Sequence, residues 1–165
     1  MSETDGLTKI GNHRSLIEHL KTEITDAERT GIPLSIAIFD IDNFKKVNDT
    51  KGHVIGDQVL FDVAAILKNA VRESDYIGRY GGEEFMAIFR DTGLEIAEKV
   101  SERIRQAIEK HGFVENLKVT ISGGVSQFCG ETMTEFIQSA DNKLYFAKKN
   151  GKNRIVSSTD EEVQV

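Results

Sequence analysis

The chain has 165 residues, a length typical of a single domain, and 39% of them are hydrophobic, which excludes a wholly disordered protein. Its formal net charge of −6 argues against a protein that binds double-stranded nucleic acid, because such proteins usually carry a basic excess. No apolar run is long enough for a transmembrane helix, and no signal-peptide pattern is present, so we expect neither.

The first half of the chain predicts helices alternating with a buried strand. Asn12 is a good N-cap for a helix over His13 to Arg29, and Gly31-Ile32-Pro33 ends that helix. The apolar run Leu34 to Phe39 predicts a buried strand that stops at Asp40-Ile41-Asp42. The next predicted elements are a short helix over Phe44 to Asn48, a turn over Asp49 to Gly52, and a long helix over Ile55 to Val71.

The second half predicts a hairpin followed by two more helices. Strands over Asp75 to Tyr80 and Glu84 to Phe89 flank Gly81-Gly82, a pair that predicts a hairpin turn. A helix over Leu94 to His111 follows, with Ile96 among its inward-facing residues. The remaining predicted elements are a strand region over Leu117 to Phe128, a helix over Thr134 to Asn150 closed by Gly151, and a short strand over Arg154 to Val156.

The order β-α-β-β-α-β is that of the ferredoxin-like, palm-type α+β fold. We expect an antiparallel central sheet with the helices of this unit on one face, flanked further by the added N- and C-terminal helices. In this fold the first and third strands are adjacent and antiparallel, so the end of one meets the start of the other. Asp40 and Asp42 lie at the first place, and Glu83 and Glu84 lie at the second. Up to four carboxylates should therefore gather at one sheet edge.

Clustered carboxylates repel one another and resist ionisation, and a divalent cation removes that difficulty. Mg²⁺ commonly takes one or two carboxylates plus substrate phosphates, and two metal ions can activate a hydroxyl and stabilise a leaving phosphate oxygen. The spacing supports equally an acidic rim that holds no metal.

Groups that could hold phosphate occur in two stretches. Asn43-Phe44-Lys45-Lys46 follows the carboxylates and offers free backbone amides and the Lys45 side chain. The end of the last helix carries Lys148, Lys149 and Lys152. For these three lysines, a favourable interaction with the helix C-terminus and with solvent is the alternative.

The string Arg79-Tyr80-Gly81-Gly82-Glu83-Glu84-Phe85 resembles the signature of the GGDEF family, the diguanylate cyclases, in its GGEEF form. Further stretches resemble other family segments in the same order, and the resemblance covers nearly all of Asp5 to Val156. These stretches are Asp5-Gly6-Leu7-Thr8 with Asn12-His13-Arg14, then Phe39 to Lys45 with Asn48-Asp49, Gly52-His53 and Gly56-Asp57, and finally Ala140-Asp141 through Lys148, Gly151 and Asn153. The chain departs from the family pattern at Ile10, His13 and Lys152, none of which is a metal or guanine position.

The resemblance implies an enzyme that condenses two GTP molecules into cyclic di-GMP and two pyrophosphates, with Mg²⁺ or Mn²⁺ as cofactor. It implies that Asp40 and Glu83 bind the metal, helped by the carbonyl of Ile41, with Glu84 nearby. Glu83 or Glu84 would assist removal of the 3′-hydroxyl proton. Each domain would hold one GTP, so a transient homodimer is the implied catalytic form.

The resemblance also implies a set of substrate contacts. Asn48 and Asp57 match the positions that read the guanine edge, and a carboxylate that accepts from guanine N1–H and N2–H₂ meets an acceptor in adenine. Lone histidines in turns are usually structural, but His53 is kept among the substrate-binding candidates. The matching phosphate-contact positions are Phe44, Lys45, Lys148 and Lys152, and Gly81 and Gly82 match positions against the base and ribose.

Arg72-Glu73-Ser74-Asp75 is an R-x-x-D sequence separated from Gly81 by five residues. It resembles the family's inhibitory site for cyclic di-GMP, and Arg103 on the next helix is the candidate for the second half of that site. A surface ion pair between Arg72 and Asp75 is the alternative, worth about 0–1 kcal/mol.

The expected organisation is a catalytic domain over 1–156, an acidic flexible tail over 157–165, and an upstream sensory or dimerising part in the full protein. We expect a cytoplasmic location, no nucleic-acid partner and no membrane contact of this chain. Cys129 is expected to be a small buried apolar residue. Two alternatives to an active cyclase stay open: a module that binds GTP or cyclic di-GMP without catalysis, and another nucleotidyl-transfer palm such as an adenylyl cyclase or polymerase.

Overall fold

The structure is a computed structural model that describes residues 2–157. Of the predicted acidic tail, Ser157 is described and is buried, and 158–165 lie outside the described residues. Within residues 2–157, the helices are α1 (His13–Thr30), α2 (Phe44–Lys51), α3 (His53–Ala70), α4 (Leu94–Lys110) and α5 (Met133–Lys149), and the strands are β1 (Leu34–Ile41), β2 (Tyr76–Arg79), β3 (Glu84–Arg90), β4 (Ile121–Gln127) and β5 (Ile155–Val156).

The strands form one sheet in the order β2-β3-β1-β4-β5. Strand β1 is central and pairs antiparallel with both β3 and β4, whereas β5 pairs parallel with β4. Because successive side chains of a strand point to opposite faces, β1 supplies apolar residues to both sides of the sheet. The sheet thus confirms the predicted α+β fold and the adjacency of the first and third strands of the unit.

Each face of the sheet carries its own hydrophobic core. Ala37, Phe39 and Ile41 of β1 pack with the apolar faces of α3 and α4, which are the two helices of the predicted unit. Ile36 and Ile38 pack on the other face with α1 and α5, the added terminal helices. The helices of the unit therefore share one face, as predicted, and the added helices cover the opposite face.

Several local predictions are wrong in their boundaries. Helix α2 continues to Lys51, so Gly52 alone separates α2 from α3, and His53 is the first residue of α3 rather than part of a turn. Gly52 has a φ of 90°, a conformation that glycine adopts at little cost, and this allows the chain to turn within one residue. A 3₁₀ turn over Val114–Asn116 shortens the predicted strand region to β4.

Two side-chain placements and one backbone conformation also differ from expectation. Ile96 is 54% exposed, because the buried stripe of α4 runs through the small residues Ala97 and Ser101, which let that helix lie close to the sheet. Cys129 is exposed in the loop after β4 rather than buried. Gly81 and Gly82 join β2 to β3, but neither has a positive φ, so the hairpin turn does not use left-handed glycine.

Candidate active site

Three carboxylates meet where β1 ends and β3 begins. Asp40 is the cross-strand partner of Glu84, and the backbone N–H of Ile41 donates to the carbonyl oxygen of Glu83 at 3.3 Å. The antiparallel register therefore brings Asp40, Glu83 and Glu84 to the same sheet edge, as the topology predicted.

The charges at this edge are mutually unfavourable. Burial, the negative charge of Asp40 and a hydrogen bond with Asp40 raise the pKa of Glu83 to about 7. Burial also raises the pKa of Glu84, with further contributions from Asp40 and Asp141. A cation placed among these groups would favour their ionised forms.

Lys148, from the last turn of α5, places a positive charge at this edge. Its Nζ donates to Asp40 Oδ1 at 3.0 Å and lies 3.5 Å from the Asp40 carbonyl oxygen and 3.4 Å from that of Ile41. Burial opposes its charge, but hydrogen bonds to Asp42 and Asp40 raise the pKa of Lys148. An ammonium group thus contacts both the carboxylate and the carbonyl oxygens of this edge.

These contacts test whether the edge fits a divalent cation. The oxygens around the ammonium are hard donors, which Mg²⁺ and Mn²⁺ prefer. Within residues 2–157, no three His, Cys, Asp or Glu side chains are grouped so as to hold a metal by themselves. Asp40, Glu83 and the Ile41 carbonyl thus offer oxygen donors of the kind these cations prefer, but they would need further ligands from outside the described residues to complete a metal site.

Asp42 does not join the other three carboxylates. Its Oδ1 accepts from Lys148 Nζ at 2.8 Å and from Ser122 Oγ at 2.7 Å. Its Oδ2 accepts from Thr120 Oγ1 at 2.7 Å and from the backbone N–H of Asn153 at 3.0 Å. Burial opposes its ionisation, but the hydrogen bonds from Lys148, Ser122 and Thr120 lower the pKa of Asp42. With both oxygens engaged, Asp42 is a structural anchor rather than a fourth metal ligand.

The start of α2 lies beside the same edge. Asn43 precedes the helix with a φ of 58°, and its Oδ1 accepts from Lys152 Nζ at 2.7 Å. Phe44, the first residue of α2, is buried, and the next residue, Lys45, is exposed. Lys148 and Lys152 therefore both lie along the β1–α2 connection, whereas the ammonium of Lys149 lies over the Tyr145 ring.

The two predicted guanine-reading residues lie on adjacent helices. Asn48 is on α2, and Asp57 is exposed on α3, just after the first turn of that helix. Gly56 is buried between them, and a Cβ at that position would lie 1.9 Å from Asn48 Oδ1. The glycine therefore lets the Asn48 amide lie directly against α3, next to Asp57. His53 is exposed at the start of α3.

Arg79 holds the hairpin that carries the glutamates. Its guanidinium donates to the Gly82 carbonyl oxygen at 2.7 Å and forms an ion pair with Asp5 at 3.3 Å. A Cβ on Gly81 would lie 2.8 Å from Glu84 Oε1, so this glycine leaves room for the carboxylate. The N-terminal segment and β2 thus fix the turn that presents Glu83 and Glu84.

Arg72 and Asp75 lie away from the carboxylate edge, between α3 and β2. Arg72 Nη2 donates to Asp75 Oδ1 at 3.2 Å, to the Arg90 carbonyl oxygen at 2.6 Å and to Thr92 Oγ1 at 2.7 Å. The Asp75 side chain is 3% exposed, whereas that of Arg72 is 58% exposed. Arg103 donates to the carbonyl oxygen of Ala70 at 3.2 Å, at the end of the helix that precedes Arg72.

Comparison with known proteins assigns this architecture. The sequence model of the family described as "Diguanylate cyclase, GGDEF domain" matches residues 2–154. The chain belongs to the GGDEF family. It is 42% identical over 156 residues to diguanylate cyclase DosC of Escherichia coli (strain K12), covering 92% of this chain and 34% of DosC. The GGDEF domain thus spans about a third of the length of that relative.

Solved structures show the same fold. The GGDEF domain of DgcB from Caulobacter crescentus, in complex with c-di-GMP, has a TM-score of 0.92 at 32% identity, covering 95% of this chain and 96% of that one. The active GGEEF domain of a diguanylate cyclase from Vibrio cholerae has a TM-score of 0.86 at 36% identity, covering 88% and 96%. Among residues 2–157 of this GGDEF domain, no helix has the length and apolar character needed to cross a membrane.

Asp141 is a site residue to which the sequence alone assigned no role. It lies with Asp40, Glu84, Tyr145 and Lys148 in the lining of a cleft of about 380 Å³ between the carboxylate edge and α5. Burial raises its pKa, and its charge contributes to raising that of Glu84. Its place in the closing-helix stretch of the GGDEF domain was the only signal in the sequence.

Proposed function

We propose that this domain is a diguanylate cyclase that condenses two GTP molecules into cyclic di-GMP and two pyrophosphates in the cytoplasm, where GTP is supplied. One observation carries the proposal: Asp40, Glu83 and Glu84 gather at a sheet edge whose oxygens already contact a cationic group, within a GGDEF fold. Such an edge suits the binding of a nucleotide triphosphate together with a divalent cation.

Asp40, Glu83 and the Ile41 carbonyl would hold Mg²⁺ or Mn²⁺, with Glu84 beside them. When bound, the cation neutralises the carboxylates and stabilises negative charge on phosphate oxygens. Glu83 and Glu84 are the candidates for the group that accepts the proton of the attacking 3′-hydroxyl, because both lie at this edge opposite Asp40 and Ile41.

The phosphates would lie along the β1–α2 connection. Lys148 and Lys152 reach this connection from the end of α5, and Lys45 is exposed on the first turn of α2. The free backbone amides at the start of α2, around Phe44, add donors for phosphate oxygens. Gly81 and Gly82 would leave room for the base and ribose, and His53 would lie at the rim of the guanine site.

The direct test is to incubate the purified domain with GTP and Mg²⁺ and to identify the products by mass. Cyclic di-GMP together with pyrophosphate supports the proposal, and ATP in place of GTP is the control for an adenylyl-transferring palm. A domain that binds GTP or cyclic di-GMP by calorimetry but releases no pyrophosphate is a binding module, and the proposed activity is then wrong.

The proposed reaction needs two domains, each holding one GTP. We expect the rate per chain to rise with protein concentration while the domain is mainly monomeric, because the productive pair forms by collision. Initial rates measured over a wide dilution series, alongside the mass measured by light scattering, check this. A rate per chain that stays constant across the monomeric range contradicts the dimer mechanism.

Guanine selectivity should depend on Asp57. Replacing Asp57 by serine removes the acceptor for guanine N1–H and N2–H₂, and an unmatched polar group costs about 1–3 kcal/mol. We expect Asp57→Ser to lose GTP affinity and discrimination against ATP, measured as the ratio of kcat/KM for the two nucleotides. Asp62→Ser, further toward the C-terminal end of the same helix, is the matched control. An unchanged GTP/ATP ratio in Asp57→Ser would place base recognition elsewhere.

Product inhibition through Arg72, Asp75 and Arg103 is part of the proposal. Arg72 is more than half exposed, so its guanidinium can offer donors to a guanine edge or to a phosphate. Arg103 lies by the end of the helix that leads to Arg72. Asp75, by contrast, is buried and accepts from the backbone N–H groups of Arg72 and Arg90, so its first role is to fix the loop.

Arg72→Ala is therefore expected to abolish tight binding of cyclic di-GMP and to leave GTP turnover at low product concentration unchanged. Calorimetric titration of cyclic di-GMP into both proteins measures this, and Arg14→Ala, which removes a partly exposed arginine paired with Glu18 on α1, is the control. If Arg72→Ala binds the product as tightly as the wild type does, the arginine serves only the Arg72–Asp75 ion pair.

A further inference from the structure

Lys148 is shared between two carboxylates in different surroundings. Its Nζ lies 2.8 Å from Asp42 Oδ1 and 3.0 Å from Asp40 Oδ1. The Asp42 side chain is 2% exposed and fully hydrogen-bonded, whereas that of Asp40 is 20% exposed and opens on the cleft. Lys148 therefore has one permanent partner inside the protein and one partner at the site edge.

The edge partner is also a donor for the cation of the proposed function. The ammonium contacts the Asp40 carboxylate and the carbonyl oxygens of Asp40 and Ile41. Two positive charges on the same oxygens repel each other strongly in a partly buried site. A divalent cation and Lys148 cannot both keep these contacts at full strength.

We infer that Lys148 competes with the divalent cation for the Asp40 and Ile41 oxygens, which its ammonium contacts, and that Asp42 retains Lys148 when the cation replaces it there. The inference rests on the proposed function only in assigning the cation to these oxygens.

Asp42 is suited to the role of anchor because its position does not depend on Lys148. Thr120 and Ser122 at the start of β4, and the backbone N–H of Asn153 after α5, hold the carboxylate from two other segments of the chain. A lysine displaced from Asp40 therefore stays within reach of the edge, where nucleotide phosphates offer it a new partner. It follows that the cation alone should bind weakly and that phosphates arriving with it relieve the competition.

The test is a titration of the nucleotide-free domain with Mn²⁺, followed by the paramagnetic resonance signal of free Mn²⁺. Lys148→Met removes the ammonium and keeps the length of the side chain, and we expect it to bind Mn²⁺ more tightly than the wild type by about tenfold or more. Lys149→Met is the matched control, since Lys149 is the next residue, carries the same charge and is exposed over Tyr145.

A double variant, Asp42→Asn with Lys148→Met, distinguishes the effect of freeing the Asp40 and Ile41 oxygens from the effect of changing the charge of the site. It also avoids leaving the buried Asp42 carboxylate without a partner. It removes one negative and one positive charge, so a gain in Mn²⁺ affinity there reports the freed oxygens. Circular dichroism and thermal unfolding establish that each variant is folded.

A gain in both Lys148→Met and the double variant, with none in Lys149→Met, supports the inference, whereas a gain in Lys148→Met alone reports the change of charge and overturns it. Equal Mn²⁺ binding by the wild type and both Lys148 variants overturns it, as does an equal gain in Lys149→Met. The absence of detectable binding in folded Lys148 variants also overturns it, because the freed oxygens should form a site. Cyclase activity is not used, so an inactive domain would refute the proposed function separately.

Discussion

Replacing Asp40 by asparagine is expected to lower the rate of cyclic di-GMP formation by at least about 10²–10³-fold, the usual effect of losing one preorganised charged group at a reaction centre. The amide keeps the shape of the side chain but loses the charge that pairs with Lys148 and would bind the cation. Glu83→Gln, in the turn just before β3, should have an effect of similar size. Initial rates of pyrophosphate release at saturating Mg²⁺ and GTP measure both.

Asp91→Asn is the matched control for Asp40→Asn. Asp91 is exposed in the turn after β3, and its φ of 51° is one that asparagine also tolerates. This variant should retain the wild-type rate. If folded Asp40→Asn turns over at a rate near that of the control, the carboxylate edge is not the reaction centre.

The carboxylate edge could be predicted because the order and direction of the strands determine which residues meet there. Once β1 and β3 are adjacent and antiparallel, the end of one must meet the start of the other, and Asp40 then pairs with Glu84. The apolar runs and the glycine pair were enough to establish that order. The lysines at the end of α5 could be assigned only by resemblance, because no local pattern shows that this end reaches β1.

Asp42 shows where reasoning from the sequence stops. It lies two residues after Asp40, a spacing that places two side chains on the same face of a strand. However, β1 ends at Ile41, and the partners of Asp42 come from Thr120, Ser122 and Asn153, which are 78 to 111 residues away. Contacts over such separations leave no periodic signal in the sequence.

The exposed Ile96 has a similar cause. Its spacing fits the apolar stripe of α4, but the small residues Ala97 and Ser101 lie against the sheet instead, and Ser101 donates to the Ala97 carbonyl oxygen at 2.8 Å. Close approach of a helix to a sheet favours small side chains at the contact, and this depends on the packing of both partners. Hydrophobicity alone therefore misplaces the buried face only at the start of α4, since Ile104 and Ile108 further along the helix are buried.

Replacing Asp42 by alanine is expected to cost about 3–5 kcal/mol of unfolding free energy, because several buried donors lose their acceptor at about 1–3 kcal/mol each and Lys148 keeps only its pair with Asp40. Lys148 would lose its closest carboxylate, and the hydroxyls of Thr120 and Ser122 and the Asn153 N–H would lose their acceptor. Urea unfolding at pH 7, followed by circular dichroism, measures the loss.

Thr120→Val is the matched control for this prediction, because it removes a single neutral donor to Asp42 and should cost about 1 kcal/mol. The pH dependence gives a second check. Folding lowers the pKa of Asp42 below its ordinary value of 3.8, so its stabilisation is complete above that value and is lost as the pH falls toward the lowered pKa. The stability difference between wild type and Asp42→Ala should therefore shrink in acid. A loss at pH 7 no larger than that of Thr120→Val would mean that Asp42 does not anchor Lys148.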